Sequence, residues 1–262
     1  MIYCRALFII LMVLICSAAL KAAEQIASDT EKPVLTVLMR VYNQPYVFKD
    51  SNGILMDIFT EAMPDFTINP VFLPHDRGTV LMSSEEIDAI SIIPEHAKID
   101  GAFISRPYIE FHNQLFVTDT TGQSNIGFDD LAKLDLIGFV DARNFLGEKF
   151  SETIKNNPSY RELADQEIQV KTFLMGRTDG IIIDRHIFGY FYKRLTESKE
   201  FQENHKIRSV DLFLPTPYCA IFRSEQLRDK FEAGCEAMKN SGRIDEIISK
   251  YSRVIASQES GK

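Results

Sequence analysis

Seven side chains of this 262-residue chain have the types and settings for polar chemistry. Asp184 closes the apolar run Gly180-Ile181-Ile182-Ile183. A carboxylate at a strand end suits a ligand ammonium, because charge-assisted hydrogen bonds in a partly dry site are strong. The same residue also fits the N-cap of a helix starting near His186, a frequent position for Asp. Arg40 and Arg77 offer guanidinium groups to a ligand carboxylate, with surface ion pairs as the rival use. Arg143 and Asn144 open a helix, where backbone N–H groups favour anions. Tyr46 can contribute an aromatic wall to a pocket. His96, next to Glu95, can contact a ligand, although a lone His is more often structural. Glu95 and His96 also make a conceivable acid–base pair, but adjacent side chains on a strand or loop point in different directions.

Other chemistries are excluded by composition and motif. The 13 Gly residues contain no Gly-x-Gly, so there is no dinucleotide fingerprint, and no Gly-Lys-Ser or Gly-Lys-Thr of a P-loop occurs. No His-Glu-x-x-His, Cys-x-x-Cys or Gly-x-Ser-x-Gly occurs, and we expect no metal and no cofactor. A formal charge of −8, spread without a basic run, argues against a nucleic-acid partner.

The elements that must position these groups alternate between strand and helix. Val34 to Val41 reads as a buried strand, and ILMDIFTEAM as a helix closed by Pro64. FTINPVFLP and Asp88 to Ile93 read as strands flanking a short helical piece over Gly78 to Ser84. After the strand Gln114 to Thr118, the polar stretch Asp119 to Asn125 is the expected crossover, and the pattern restarts. Leu136 to Val140, EIQVKTF and Gly180 to Asp184 read as strands, and Phe145 to Asn156 and His186 to Leu195 as helices. RSVDLF and YCAIF are the closing strands, followed by a helix capped by Ser224 and stopped at Gly242, then by a second one. This order implies βαβ units, a largely parallel sheet and a ligand cleft beyond the strand ends. We expect residues 34–118 with 215–255 to form one lobe, and 119–214 a second, inserted lobe.

The first 23 residues read as a signal peptide. Arg5 precedes the apolar run Ala6 to Ile15, and Ser17-Ala18-Ala19 supplies small residues for cleavage between Leu20 and Glu24. The run is shorter than the ~20 residues of a membrane span. Export to the periplasm is the expectation, with Cys219 and Cys235 as buried free thiols.

Five segments together resemble the family 3 extracellular solute-binding proteins, the amino-acid receptors of bacterial ABC transporters. They are Gln44-Pro45-Tyr46-Val47-Phe48 with Gly53 to Ile58, Ile87-Asp88-Ala89 with Phe103-Ile104-Ser105-Arg106-Pro107-Tyr108, Gly138-Phe139-Val140 with Arg143-Asn144-Phe145, Gly176-Arg177-Thr178-Asp179-Gly180 ending at Asp184, and Ser241-Gly242-Arg243-Ile244 through Tyr251. The resemblance implies the type II periplasmic binding-protein fold, a monomer that closes on a small polar solute without transforming it, and a permease or a sensor as partner. It gives Tyr46 a stacking role against the ligand and Asp184 an ammonium contact. One departure bears on specificity. His96 stands where the family carries the Arg that grips an α-carboxylate, and an imidazole does not replace a bidentate guanidinium. Cyclohexadienyl dehydratase-like enzymes of the same architecture, and sensory modules, are the alternative readings.

Overall fold

The computed structural model describes residues 32–40, 43–73, 81–82, 84–95, 100–118, 126–198 and 206–251. The chain builds two sheets. In the first, β1 (Val34–Met39) lies between β2 (Thr67–Phe72) and β3 (Ala89–Pro94), parallel to both. Helix α1 (Ile54–Ala62) connects β1 to β2. The late strand β11 (Thr216–Phe222) then pairs antiparallel with β3 and carries the short strands β4 (Phe103–Ile104) and β5 (Ile109–Phe111) on its other edge.

The second sheet has the order β10-β6-β9-β7-β8. Its members are β6 (Asn113–Thr118), β7 (Leu136–Phe139), β8 (Tyr160–Leu163), β9 (Gly180–Asp184) and β10 (Ile207–Val210). Around it lie α2 (Ala142–Phe145), α3 (Glu148–Lys155), α4 (Gln166–Leu174) and α5 (Arg185–Glu197). The chain returns to the first sheet through β11 and closes with α6 (Glu225–Asn240) and α7 (Arg243–Tyr251). Ser224 caps α6 by accepting from Leu227 N, and Gly242 follows it at φ 76°, as the sequence implies.

Three expectations change. Residues 113–118 belong to the second sheet, not the first lobe, because β6 pairs with β9 from Asn113↔Asp184 to Val117↔Gly180. The first crossover is therefore at His112, and the segment 119–125 lies outside the described residues. EIQVKTF is helical: Asp165 accepts from Glu167 N and Ile168 N, and Val170 and Phe173 share a buried face. Its alternation of β-branched residues was outweighed by that cap and by Gln169, whose amide donates to the Ile137 and Ile182 carbonyls. The helix expected over 145–156 is two helices, parted at Gly147, whose φ of 89° a side chain rarely adopts.

Each lobe has apolar packing of its own. Under the first sheet, Phe59, Phe222 and Phe231 tilt against one another, with Phe59–Phe231 centroids 4.6 Å apart, and Tyr108 meets Phe59 and Phe231 edge-on. In the second lobe Phe150 meets Tyr160 and Phe213 edge-on. Cys219 and Cys235 are free and buried.

Candidate functional site

The two sheets meet where the chain crosses between them, and the candidate site is built at that junction. The loop after β1 is held by its own backbone. Tyr46 N and Val47 N donate to the Asn43 carbonyl, while Ile54 N and Leu55 N of α1 donate to the Pro45 and Tyr46 carbonyls. Gly53 permits this clamp: its φ is 127°, and an added Cβ would stand 2.5 Å from the Tyr46 carbonyl oxygen. The clamp fixes Tyr46 over Phe111, ring centroids 4.0 Å apart and 16° from parallel. Tyr218 packs on Phe111 as well, at 4.8 Å.

Asp184, the last residue of β9, faces this stack. Its Oδ1 accepts from Tyr46 Oη at 3.0 Å, His186 N at 2.9 Å and Ile187 N at 3.1 Å. Its Oδ2 accepts from His112 N at 2.8 Å. Arg185 N returns a bond to the His112 carbonyl, and His112 Nε2 lies 2.7 Å from Asp211 Oδ1. Residues 112 and 211 stand on the two crossover segments, so this pair ties them together.

Burial dominates the titration of the junction. It pushes the Asp184 carboxyl up to about 6, although its four donors favour the ionised form. Burial, then Arg185 and His112, push His186 down to about 4. Burial, then the charge of Asp184, raises the Tyr46 phenol well above its ordinary value. Tyr46 is therefore a donor at any physiological pH.

The structure places the expected residues as follows. Tyr46 and Asp184 come together, but on each other: both are at most 1% exposed. Asp184 is the N-cap of α5, and its carboxylate accepts from four protein donors, so the capping use that the sequence offered is realised. Tyr46 likewise stacks on Phe111 instead of facing open space. Arg143 and Asn144 begin α2 after β7, one strand from β9, and are exposed. They line a shallow groove of about 570 Å³ with Gly147, Glu148, Ser151, Glu152 and Lys155. The amides that would favour an anion there are taken, since Asp141 N and Arg143 N both donate to the Glu162 carboxylate at 2.9 Å.

Arg40 is exposed at the C-terminal end of β1, within electrostatic reach of Tyr218, and forms no ion pair among the described residues. Arg77 and His96 lie outside the described residues. Sequence reasoning missed His112, Asp211, Asn43 and the Phe111–Tyr218 wall. Asn43 is buried, and its side-chain nitrogen has no acceptor among the described residues. The signal for His112 was the break between two short apolar alternations, IEF and NQLFVT.

No protein-family model and no curated protein sequence matches the chain. Solved structures do. The GluR0 ligand-binding core in complex with L-glutamate is similar at a TM-score of 0.65 and 14% identity, covering 86% of this chain and 100% of that one. The VFT2 domain of Bordetella pertussis BvgS, a double mutant, is similar at 0.63 and 14%, covering 87% and 96%. The ancestral amino acid-binding protein AncCDT-1, a precursor of cyclohexadienyl dehydratase, is similar at 0.60 and 18%, covering 84% and 96%. The chain has the two-lobed α/β fold of periplasmic binding proteins.

Proposed function

We propose that this protein captures a small carboxylate-bearing solute between its lobes and closes on it by hinge motion. The observation that carries this reading is the asymmetry of the two facing edges. On the first lobe Arg40 is exposed at a strand end and free of carboxylate partners among the described residues. Arg77 and His96 follow β2 and β3 in sequence, as Arg40 follows β1, and these three strands are parallel. Ligands of open α/β sheets bind beyond such strand ends. On the second lobe the one buried carboxylate among the described residues, Asp184, is already met by four protein donors. Attraction for negative charge therefore outweighs attraction for an ammonium.

The hinge would be the paired crossovers at residues 111–113 and 210–216, joined by His112 and Asp211. Two adjacent connections permit rotation of one lobe against the other with little loss of packing inside either. The protein would be exported by its first 23 residues and act as a periplasmic monomer. It would deliver the solute to a membrane permease or report it to a sensor.

A thermal-shift screen over standard amino acids, dicarboxylates and hydroxy acids tests the reading. A true solute at 100 times its dissociation constant adds ~2.7 kcal/mol to stability. Small acids should raise the melting temperature, and Arg40→Ala should weaken the effect. Stabilisation by amines alone would overturn it.

A further inference from the structure

We propose that the Tyr46 hydroxyl is a built-in occupant of Asp184, and that it latches the two lobes together before any solute arrives. The bond is 3.0 Å long, fully buried, and joins residues 138 positions apart in sequence. Tyr46 belongs to the first lobe, held there by α1 and Phe111. Asp184 belongs to the second, at the end of β9.

An ionised carboxylate has about four acceptor positions. Here four donors meet it: two amides of α5 and the Tyr46 hydroxyl converge on Oδ1, and the His112 amide reaches Oδ2. The three amides are fixed by the second sheet and its crossover. Only the hydroxyl comes from the opposing lobe, so only the hydroxyl can leave when the lobes part. A solute donor reaches Asp184 by displacing Tyr46 or not at all, because neither residue is exposed. A second contact runs alongside. Phe48, two residues on, meets Tyr190 of α5 edge-on at 5.3 Å, and one apolar cluster continues from the first lobe into Ile187, Phe188 and Phe191.

The consequence rests on the solute-capture reading. If the resting protein is latched, its open form is a minor state, and the apparent affinity for solute is reduced by the open fraction. Removing the Tyr46 hydroxyl then raises affinity as well as opening the lobes, whereas a plain structural bond would leave affinity unchanged.

Small-angle X-ray scattering on solute-free wild type and Tyr46→Phe tests the latch, since this change keeps the ring on Phe111. The wild type should be compact without solute, and Tyr46→Phe should have the larger radius of gyration. A wild type that is expanded without solute, or a variant as compact as wild type, overturns the proposal. Should the variant fail to fold, proton NMR of solute-free wild type with labelled tyrosine decides. A slowly exchanging Tyr46 hydroxyl resonance supports the latch, and its absence overturns it. A panel of L-amino acids and dicarboxylates added to the open variant separates the two readings: if none recompacts it, solute capture fails while the latch stands.

Discussion

Two buried regions of this molecule solve the same problem by opposite means. Beneath the first sheet, Phe59, Phe222 and Phe231 fill space with hydrocarbon around Tyr108, whose hydroxyl donates to the Ser91 carbonyl at 2.6 Å. At the junction between the lobes, Asp184 is buried just as deeply, but among directed donors. Apolar packing has no direction and tolerates small shifts of shape, so it contributes stability without fixing orientation. A buried carboxylate is stable only in one arrangement of donors, because each one lost leaves a costly unpaired group. The aromatic cluster thus holds one lobe together, and the polar junction sets how two lobes face each other.

Substitutions that break either side should separate these roles. The largest effect is expected from Phe231→Ala, which removes a ring with no exposed surface from the centre of the cluster. Such truncations cost ~3–5 kcal/mol. Urea unfolding should register this loss, while solute-dependent stabilisation, measured below the lowered melting temperature, persists. Loss of solute response in a folded protein would break the division of labour.

Asp184→Asn comes next. It sets an amide NH₂ against either the His112 N–H or the cap donors, which should cost ~1–3 kcal/mol at pH 7. The melting temperature without solute should fall, as for a cap and junction residue. An unchanged melting temperature with abolished solute binding would return Asp184 to direct ligand contact.

A finer effect is in the pH dependence. The Asp184 carboxyl is pushed up to about 6 from an ordinary 3.8, so the folded state holds its proton more tightly than the unfolded chain. That contribution is fully present below about pH 4 and is lost as pH rises through 6. His186, pushed down to about 4 from 6.5, works the other way, and its contribution is lost as pH falls from 6.5 towards 4. In wild type the two oppose each other. In Asp184→Asn only the His186 dependence remains, so the variant's stability should climb more steeply between pH 4 and 6.5. A shallower climb would show that the four donors outweigh burial.

The smallest effect belongs to Asp211→Asn. Its partner His112 is mostly buried, but Asp211 is exposed, and such pairs are worth less than ~1 kcal/mol. Stability should hardly move. The hinge connection should loosen, seen as faster amide exchange around residues 112 and 211 relative to the aromatic cluster.

Much of this was legible beforehand, for local reasons. The apolar runs of β1, β3 and β9 have no other stable placement than the inside of a sheet, and Ser224 and Gly242 mark the ends of α6 through side-chain and backbone chemistry of their own. Asp184 was marked as consequential by its place after Ile183, and the cap reading of it was available from His186 onward. What remained hidden was non-local. Glu167–Phe173 alternates like a strand, and beside the Asp165 cap it is the carbonyls of Ile137 and Ile182, waiting for Gln169, that make the helical form the better one.

The sequence by itself determined the alternation of strands and helices, the apolar interior of each sheet and the basic residues that follow three parallel strands. Those features depend on hydrophobic period and on residues near one another along the chain. Only the tertiary structure decided that β6 belongs with β9, that Glu162 covers the amides of Asp141 and Arg143, and that Tyr46 spends its hydroxyl on Asp184. Each of these is a pairing of polar groups that are distant in sequence. A donor or acceptor shows in the sequence that it needs a partner, but which partner it meets depends on how the sheets are brought together.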